Sequence, residues 1–210
     1  MDSISIPIIQ LVLFLLILLP SVIIHEVSHG WVALRLGDPT AKLAGRLTLN
    51  PIRHLDLVGS FIVPLLLIFS AGFALGWAKP VPYNPSLLSR DYKYGPLKVA
   101  LAGPASNLLL AIVAAIIARI FTPFLGLGPM VVLEVVVFIN VLLLVFNLIP
   151  IPPLDGSKVI STFLSPRQAV AFEQVGFFGV LIILALLLLF PPFFGFVSQI
   201  TSTITNLLLK

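Results

Sequence analysis

The sequence predicts an all-α polytopic integral membrane protein. It has about five to six hydrophobic segments, with a re-entrant or short-strand region between the first and second core spans. Three observations carry that expectation. Of 210 residues, 59% are hydrophobic and only 10% charged, against roughly 25% charged in a soluble domain. Several apolar runs reach the roughly 18 residues that mark a span candidate. Polar and Pro-rich intervals separate these runs. The net charge of +4 does not point to nucleic acid, because the basic residues are scattered; they read as topology signals. There is no cysteine, which excludes disulfides and thiolate metal ligands. The N-terminus has no basic region and its apolar run continues into a polar cluster, unlike a cleaved signal peptide. A single membrane-embedded domain over residues 1–210 is expected, with its core at about 7–165 and C-terminal hydrophobic segments at about 169–209.

The first span runs from about Pro7 to Leu36, with Pro20 inside it as a kink site. The connection "LGDPTAKLAGRLTLNPIRHLD" is polar and rich in turn residues. The next apolar stretch, Leu57 to Gly76, is interrupted by Gly59, Pro64, Gly72 and Gly76. "AKPVPYNPSLLSRDYKYG" cannot stay helical for long and reads as extended strand or loop. Clean spans follow at about Pro96–Phe121 and Met130–Ile149, the second stopped by "PIPP". "LDGSKVISTFLSPRQ" is a polar interval with a short helix. Two last apolar stretches, about Ala169–Phe190 and Phe193–Leu209, flank Pro191 and Pro192.

The chemistry lies in "VIIHEVSHGW", residues 22–31, at the end of the first span. His25 and His29 are four residues apart and share one helix face. Glu26 sits beside the first histidine. This is the H-E-x-x-H arrangement: two zinc ligands and a general base for hydrolysis. By itself the pattern also fits a solvated helix face. Inside an apolar span, however, each ionisable group costs roughly 2.5–3.5 kcal/mol, and a bound cation offsets that cost. A catalytic zinc needs a third protein ligand, for which His54, Asp56 and Asp155 are candidates. Asp155 also fits an N-cap for the short helix near Ser157. Pro150, Pro152 and Pro153 are expected to hold its segment extended, and Gly156 permits close backbone approach.

"HEVSH", "AGPASN" (residues 102–107) and "NLIPIPPLDG", in that order, resemble the site-2 protease family of intramembrane zinc metalloproteases. The resemblance covers about residues 20–160, and "GWAKPVPYNP" is similar to the compact branch without an added sensor domain. It implies His25, His29 and Asp155 as ligands of one Zn²⁺ per chain. It implies Glu26 as the catalytic base and Asn147 as a substrate-positioning or oxyanion-stabilising residue. Asn107 is a further candidate for substrate contact, or for a hydrogen bond between helices. The family often has proline after the aspartate of "RHLD", where this chain has Leu57. The implied activity is zinc metalloendopeptidase cleavage of a transmembrane protein or peptide within the bilayer, in a prokaryotic cell membrane. A helical substrate must unwind first, and "KPVPYNP" is a candidate strand edge to hold it. A divalent-metal transporter is the rival reading; few other intramembrane polar groups and no evident inverted repeat argue against it.

One geometric requirement follows. Both motifs lie near the C-terminal ends of their spans, so those spans must run parallel to meet. Leu57–Gly76 should then not cross the membrane. With that assignment only Arg119 among the lysines and arginines falls on the other face, and Lys210 joins the crowded face if both final stretches span. The positive-inside rule makes that face cytoplasmic, and the site opens toward it.

Overall fold

The computed structural model describes residues 5–56, 59, 62 and 78–210. The stretch Leu57–Gly76, expected to be re-entrant, therefore lies almost wholly outside the described residues.

Eight helices follow one another among the described residues: α1 (Ser5–Arg35), α2 (Thr40–Leu43), α3 (Gly95–Phe121), α4 (Leu127–Asn147), α5 (Gly156–Ser161), α6 (Pro166–Gln174), α7 (Gly176–Leu189) and α8 (Pro191–Leu209). Short 3-10 turns occupy Pro51–Arg53 and Pro85–Leu87. In each an asparagine, Asn50 or Asn84, caps the turn by accepting from the N–H two residues on, with proline next in sequence. No strand occurs among the described residues. Residues 78–84 are non-helical, as their prolines require.

Among the described residues, three helices are long and apolar enough to cross a membrane: Gln10–Arg35 within α1, α3, and α4. A fourth span arises only if α6 and the α7 portion Phe178–Leu187, bent by 59°, count as one. The chain is thus a helical membrane protein. The expected apolar run from Ala169 to Phe190 divides for a physical reason. Its first part carries Glu173, which pairs with Lys158 at 2.6 Å and keeps α6 beside the polar interval. The remainder, α7, has 14 residues, or about 21 Å at 1.5 Å per residue, short of the roughly 30 Å hydrocarbon core. The apolar character of α8 is diluted by Ser198, Gln199, Thr201, Ser202, Thr203, Thr205 and Asn206.

The central helix is α3. Its buried face is made of small residues, Ala100, Gly103, Ala111, Ala114, Ala115 and Ala118, together with Pro104 and Asn107. Lipid tails are as apolar as leucine, so close van der Waals packing holds such helices together, and small side chains permit it. Ala111, Ala114 and Ala115 interlock with Val137 and Val141 of α4, and Ile204 and Leu208 of α8 close over them.

The contacts also fix direction. His25 meets Asn107 while His29 meets Val99, so α1 and α3 are antiparallel. Asn107 meets Asn140 and Thr122 meets Met130, so α3 and α4 are antiparallel. Hence α1 and α4 run parallel, level at Ser21 and Asn140. The requirement drawn from the two motifs is met.

Candidate metal centre

His25 and His29 project from one face of α1 toward α3, both buried at 5% and 9% exposure. Their rings lie edge to face with centroids 4.7 Å apart. Each ring is oriented through Nδ1. His25 Nδ1 is 2.6 Å from Asn107 Oδ1, and His29 Nδ1 is 2.7 Å from the Val99 carbonyl oxygen. A carbonyl can only accept, so Nδ1 of His29 carries its proton, and an amide oxygen imposes the same on His25. In the neutral rings both Nε2 atoms then present lone pairs.

Asp155 completes the group. Its Oδ2 lies 3.1 Å from His25 Nε2 and 3.4 Å from His29 Nε2. The carboxylate reaches this depth because the chain after α4 doubles back. Consecutive turns link Ile151 N to Ile149 O, Leu154 N to Ile151 O and Ser157 N to Leu154 O. The "PIPPLDG" segment is therefore folded into turns rather than extended. Its prolines cannot continue the helix, and the intervening N–H groups close short turns instead. Gly156 packs directly on the Leu148 carbonyl, where a Cβ would overlap it. Asp155 occupies the N-cap position of α5 but makes no side-chain cap bond; its carboxylate is turned to the histidines.

Three acceptor atoms thus face one another within 4.8 Å. Oδ2 of Asp155 is buried with no hydrogen-bond donor. Such an arrangement is repulsive unless a proton or a metal ion lies between the atoms. Space for one exists over Gly103, whose Cβ, were it present, would lie 2.5 Å from both Nε2 atoms. Two imidazole nitrogens and a carboxylate oxygen form a donor set suited to zinc with an open position. The residues present fit the metal.

Glu26 is half-buried beside the group, and its Oε2 accepts from the Val81 N–H at 2.8 Å. Oε1 bonds to no described residue. Val81 belongs to the 78–84 segment, which is moored along its length. Lys79 N–H donates to the His54 carbonyl at 2.8 Å, Arg46 donates to the Lys79 carbonyl, and Asn84 N–H donates to Asp38. Pro80 and Pro82 have no N–H, so from Lys79 to Asn84 only the Tyr83 N–H lacks a partner among the described residues. The segment therefore offers no full strand ladder of N–H donors. Tyr83 itself packs against Ala33, Leu88 and Val99. Burial, then the carboxylates of Glu173, Asp155 and Asp38, push its phenol up to about 12, so it stays protonated.

The other candidates lie apart from the three converging atoms. His54 is buried, but its Nε2 lies 2.8 Å from the Thr48 carbonyl. Asp56 accepts from Gly59 N–H at 2.7 Å. Asn147, half-buried at the end of α4, donates to the Leu143 carbonyl at 3.0 Å and makes no bond to the histidines or Asp155 among the described residues. Asn107 is wholly buried and bonded between helices. Sequence reasoning passed over Asn140, Ser21 and Gly103. Asn140 was findable as an amide inside the apolar run "VVVFINVLLL". The Val99 and Val81 backbone contacts leave no trace in residue type.

Comparison with known proteins bears on what this cluster does. YwhC of Bacillus subtilis, named as a candidate zinc metalloprotease, is 38% identical over 156 residues, covering 71% of this chain and 68% of YwhC. The family model for Peptidase family M50 matches residues 117–190, the part that contains Asp155. The chain belongs to Peptidase family M50. Another relative, Rip2 of Mycolicibacterium smegmatis, also named as a candidate zinc metalloprotease, is 31% identical, covering 70% of this chain. The chain spans 56% of Rip2, so it matches little more than half of that protein. Zinc metalloprotease MJ0392 of Methanocaldococcus jannaschii is 27% identical over 73% of this chain and 34% of its own length. No solved structure matches at a significant level.

Proposed function

We propose that this chain is an intramembrane zinc metalloprotease in which His25, His29 and Asp155 hold the metal and Glu26 is the catalytic base. The observation that carries the reading is the convergence of three lone-pair atoms, two of them on imidazoles whose outer nitrogens are already bonded. Family membership and the relatives' names support the reaction class. Three long apolar helices support the location.

A zinc ion bound there supplies the Lewis acidity that activates water and polarises a peptide carbonyl. Asp155 offsets part of the ion's charge, and the Nδ1 bonds keep both imidazoles aimed. Glu26 takes one proton from the attacking water as the oxygen–carbon bond forms, then delivers it to the amide nitrogen as the carbon–nitrogen bond breaks. The Val81 N–H fixes one carboxylate oxygen, leaving the other for that proton. Asn147 would need to turn its amide away from Leu143 to touch substrate or oxyanion.

The substrate is a transmembrane protein or peptide, unwound at the scissile bond and held partly by the carbonyls of residues 80–83. The chain acts as one membrane-embedded unit in a prokaryotic cell membrane. The Lys79 N–H donates to the His54 carbonyl and the Arg90 N–H to the Leu36 carbonyl, which supports one face for the residues flanking the undescribed stretch. The charge distribution then makes the site open to the cytoplasm.

The test is cleavage of a membrane-spanning peptide in proteoliposomes. Wild type should cleave, chelation and Glu26→Gln should each abolish cleavage, and zinc should not cross the vesicle. Zinc flux without cleavage would make the cluster a transit site instead.

A further inference from the structure

His29 and His25 are oriented by different means. A backbone carbonyl holds His29, and no side-chain change alters it. His25 is held by a side-chain amide, which could face either way. A primary amide turned by 180° would offer Nδ2 to the ring and drive the imidazole proton onto Nε2, the atom facing Asp155. Something must fix the sense of Asn107.

A chain of bonds across three helices supplies it. His25 Nδ1–H donates to Asn107 Oδ1 at 2.6 Å. Asn107 Nδ2 donates to Asn140 Oδ1 at 2.9 Å and, at a longer 3.5 Å, to the Ser21 backbone carbonyl, so Asn140 is the nearer of its two acceptors. Asn140 Nδ2 donates to Ser21 Oγ at 3.0 Å and to the Val136 carbonyl at 2.9 Å. Ser21 Oγ–H donates to the Ile17 carbonyl at 2.8 Å. Both asparagines are fully buried, and Ser21 nearly so. Every link runs in one direction. The fixed reference is the Val136 carbonyl, which can only accept. Turning Asn140 over would set Oδ1 against that oxygen. Asn140 must therefore present Oδ1 to Asn107, and Asn107 must present Oδ1 to His25.

We propose that Asn140 is a positioning residue for the metal ligand His25, setting through Asn107 which ring nitrogen carries the proton and which is left to bind metal. The inference rests on the zinc reading of the cluster. It differs from a simple interhelical glue, in which the amides hold α1, α3 and α4 together and the metal is indifferent to their sense. Outer partners of ligating histidines are worth about 10–100-fold in metal affinity.

The experiment is competition of purified full-length protein with a chromophoric chelator, alongside thermal melting of the chelated form. Asn140→Leu should weaken zinc binding about 10–100-fold. Asn140→Asp should restore most of it. A buried carboxyl is neutral, so it accepts from Asn107 through one oxygen and donates to the Val136 carbonyl through the other. Thr201→Val, which removes a buried hydrogen bond to the Val197 carbonyl within α8 and away from the site, should leave zinc affinity unchanged. A cycle of Asn107→Ala and Asn140→Ala guards against misfolding of the leucine variant: once Asn107 is gone, losing Asn140 should cost no further affinity. Zinc affinity unmoved in folded Asn140→Leu overturns the proposal. So does equal loss in Asn140→Asp, or additive losses in the cycle. Wild type without zinc would overturn the proposed function as well, a result distinct from zinc binding that ignores residue 140.

Discussion

Gly103→Ala places a methyl group where the structure leaves room for an ion. The ideal Cβ lies 2.5 Å from Nε2 of both His25 and His29, and 2.6 Å from His25 Cε1. Ordinary non-bonded contact is about 3.5–4.0 Å between carbon atoms. An ion bonded to both nitrogens sits about 2.0–2.1 Å from each. The methyl therefore stands in or against the ion's own volume, and each ring must retreat by about 1 Å to admit it. Retreat strains the 2.6 and 2.7 Å bonds that aim the rings. Loss of one outer partner weakens metal binding by about 10–100-fold. With both strained and the position filled, zinc affinity should fall by more than about 100-fold. Fold should survive, since alanine favours a helix over glycine by about 1 kcal/mol. Zinc titration of the purified variant, with circular dichroism of the same sample, reads both quantities. A helical Gly103→Ala protein that binds zinc like wild type would refute the geometry.

Other expectations follow from the same contacts. Glu26→Gln should keep bound zinc while losing proteolysis, as elemental analysis beside an activity assay would show; metal loss would make Glu26 a ligand. Asp155→Ala should lower zinc content and activity together, whereas His54→Ala should leave zinc in place, because its Nε2 is engaged by the Thr48 carbonyl. Gly156→Ala should destabilise the protein by about 1–3 kcal/mol and release zinc, because the added Cβ overlaps the Leu148 carbonyl and pushes Asp155 outward; an unchanged melt with full zinc would show that the turn adapts. Ser89→Cys, in a chain with no native cysteine, should resist an impermeant thiol reagent added outside intact cells, while Gly126→Cys reacts. External labelling of Ser89→Cys would put residues 78–94 on the outer face.

Much of the site was legible because intramembrane polarity is costly and therefore sparse. His25, Glu26 and His29 stand out in an apolar span, and their spacing alone sets the shared face. The parallel run of α1 and α4 followed from asking how two motifs at span ends could meet. The residues alone left Asp155 one of three candidates, the resemblance to the site-2 protease family singled it out, and the turns after Asn147 bring it beside the histidines. The structure corrected the idea of an extended "PIPPLDG", since composition gives the end of a helix but not the path of the chain beyond it. The "KPVPYNP" segment is non-helical as expected, yet its N–H groups, save that of Tyr83, are spent on Glu26, His54 and Asp38. Residue type does not reveal that kind of backbone commitment. Gly103 and Asn140 act through a space and a bond direction, neither of which is written in spacing.

Zinc-edge X-ray absorption on the purified full-length protein tests the central assignment most directly. One zinc per chain should be found, coordinated by two imidazoles at about 2.0–2.1 Å with the remaining neighbours oxygen. The imidazole signal should weaken and zinc content fall in His25→Ala and in His29→Ala. Stoichiometric zinc with no imidazole scattering, or zinc undiminished in both histidine variants, would contradict the account.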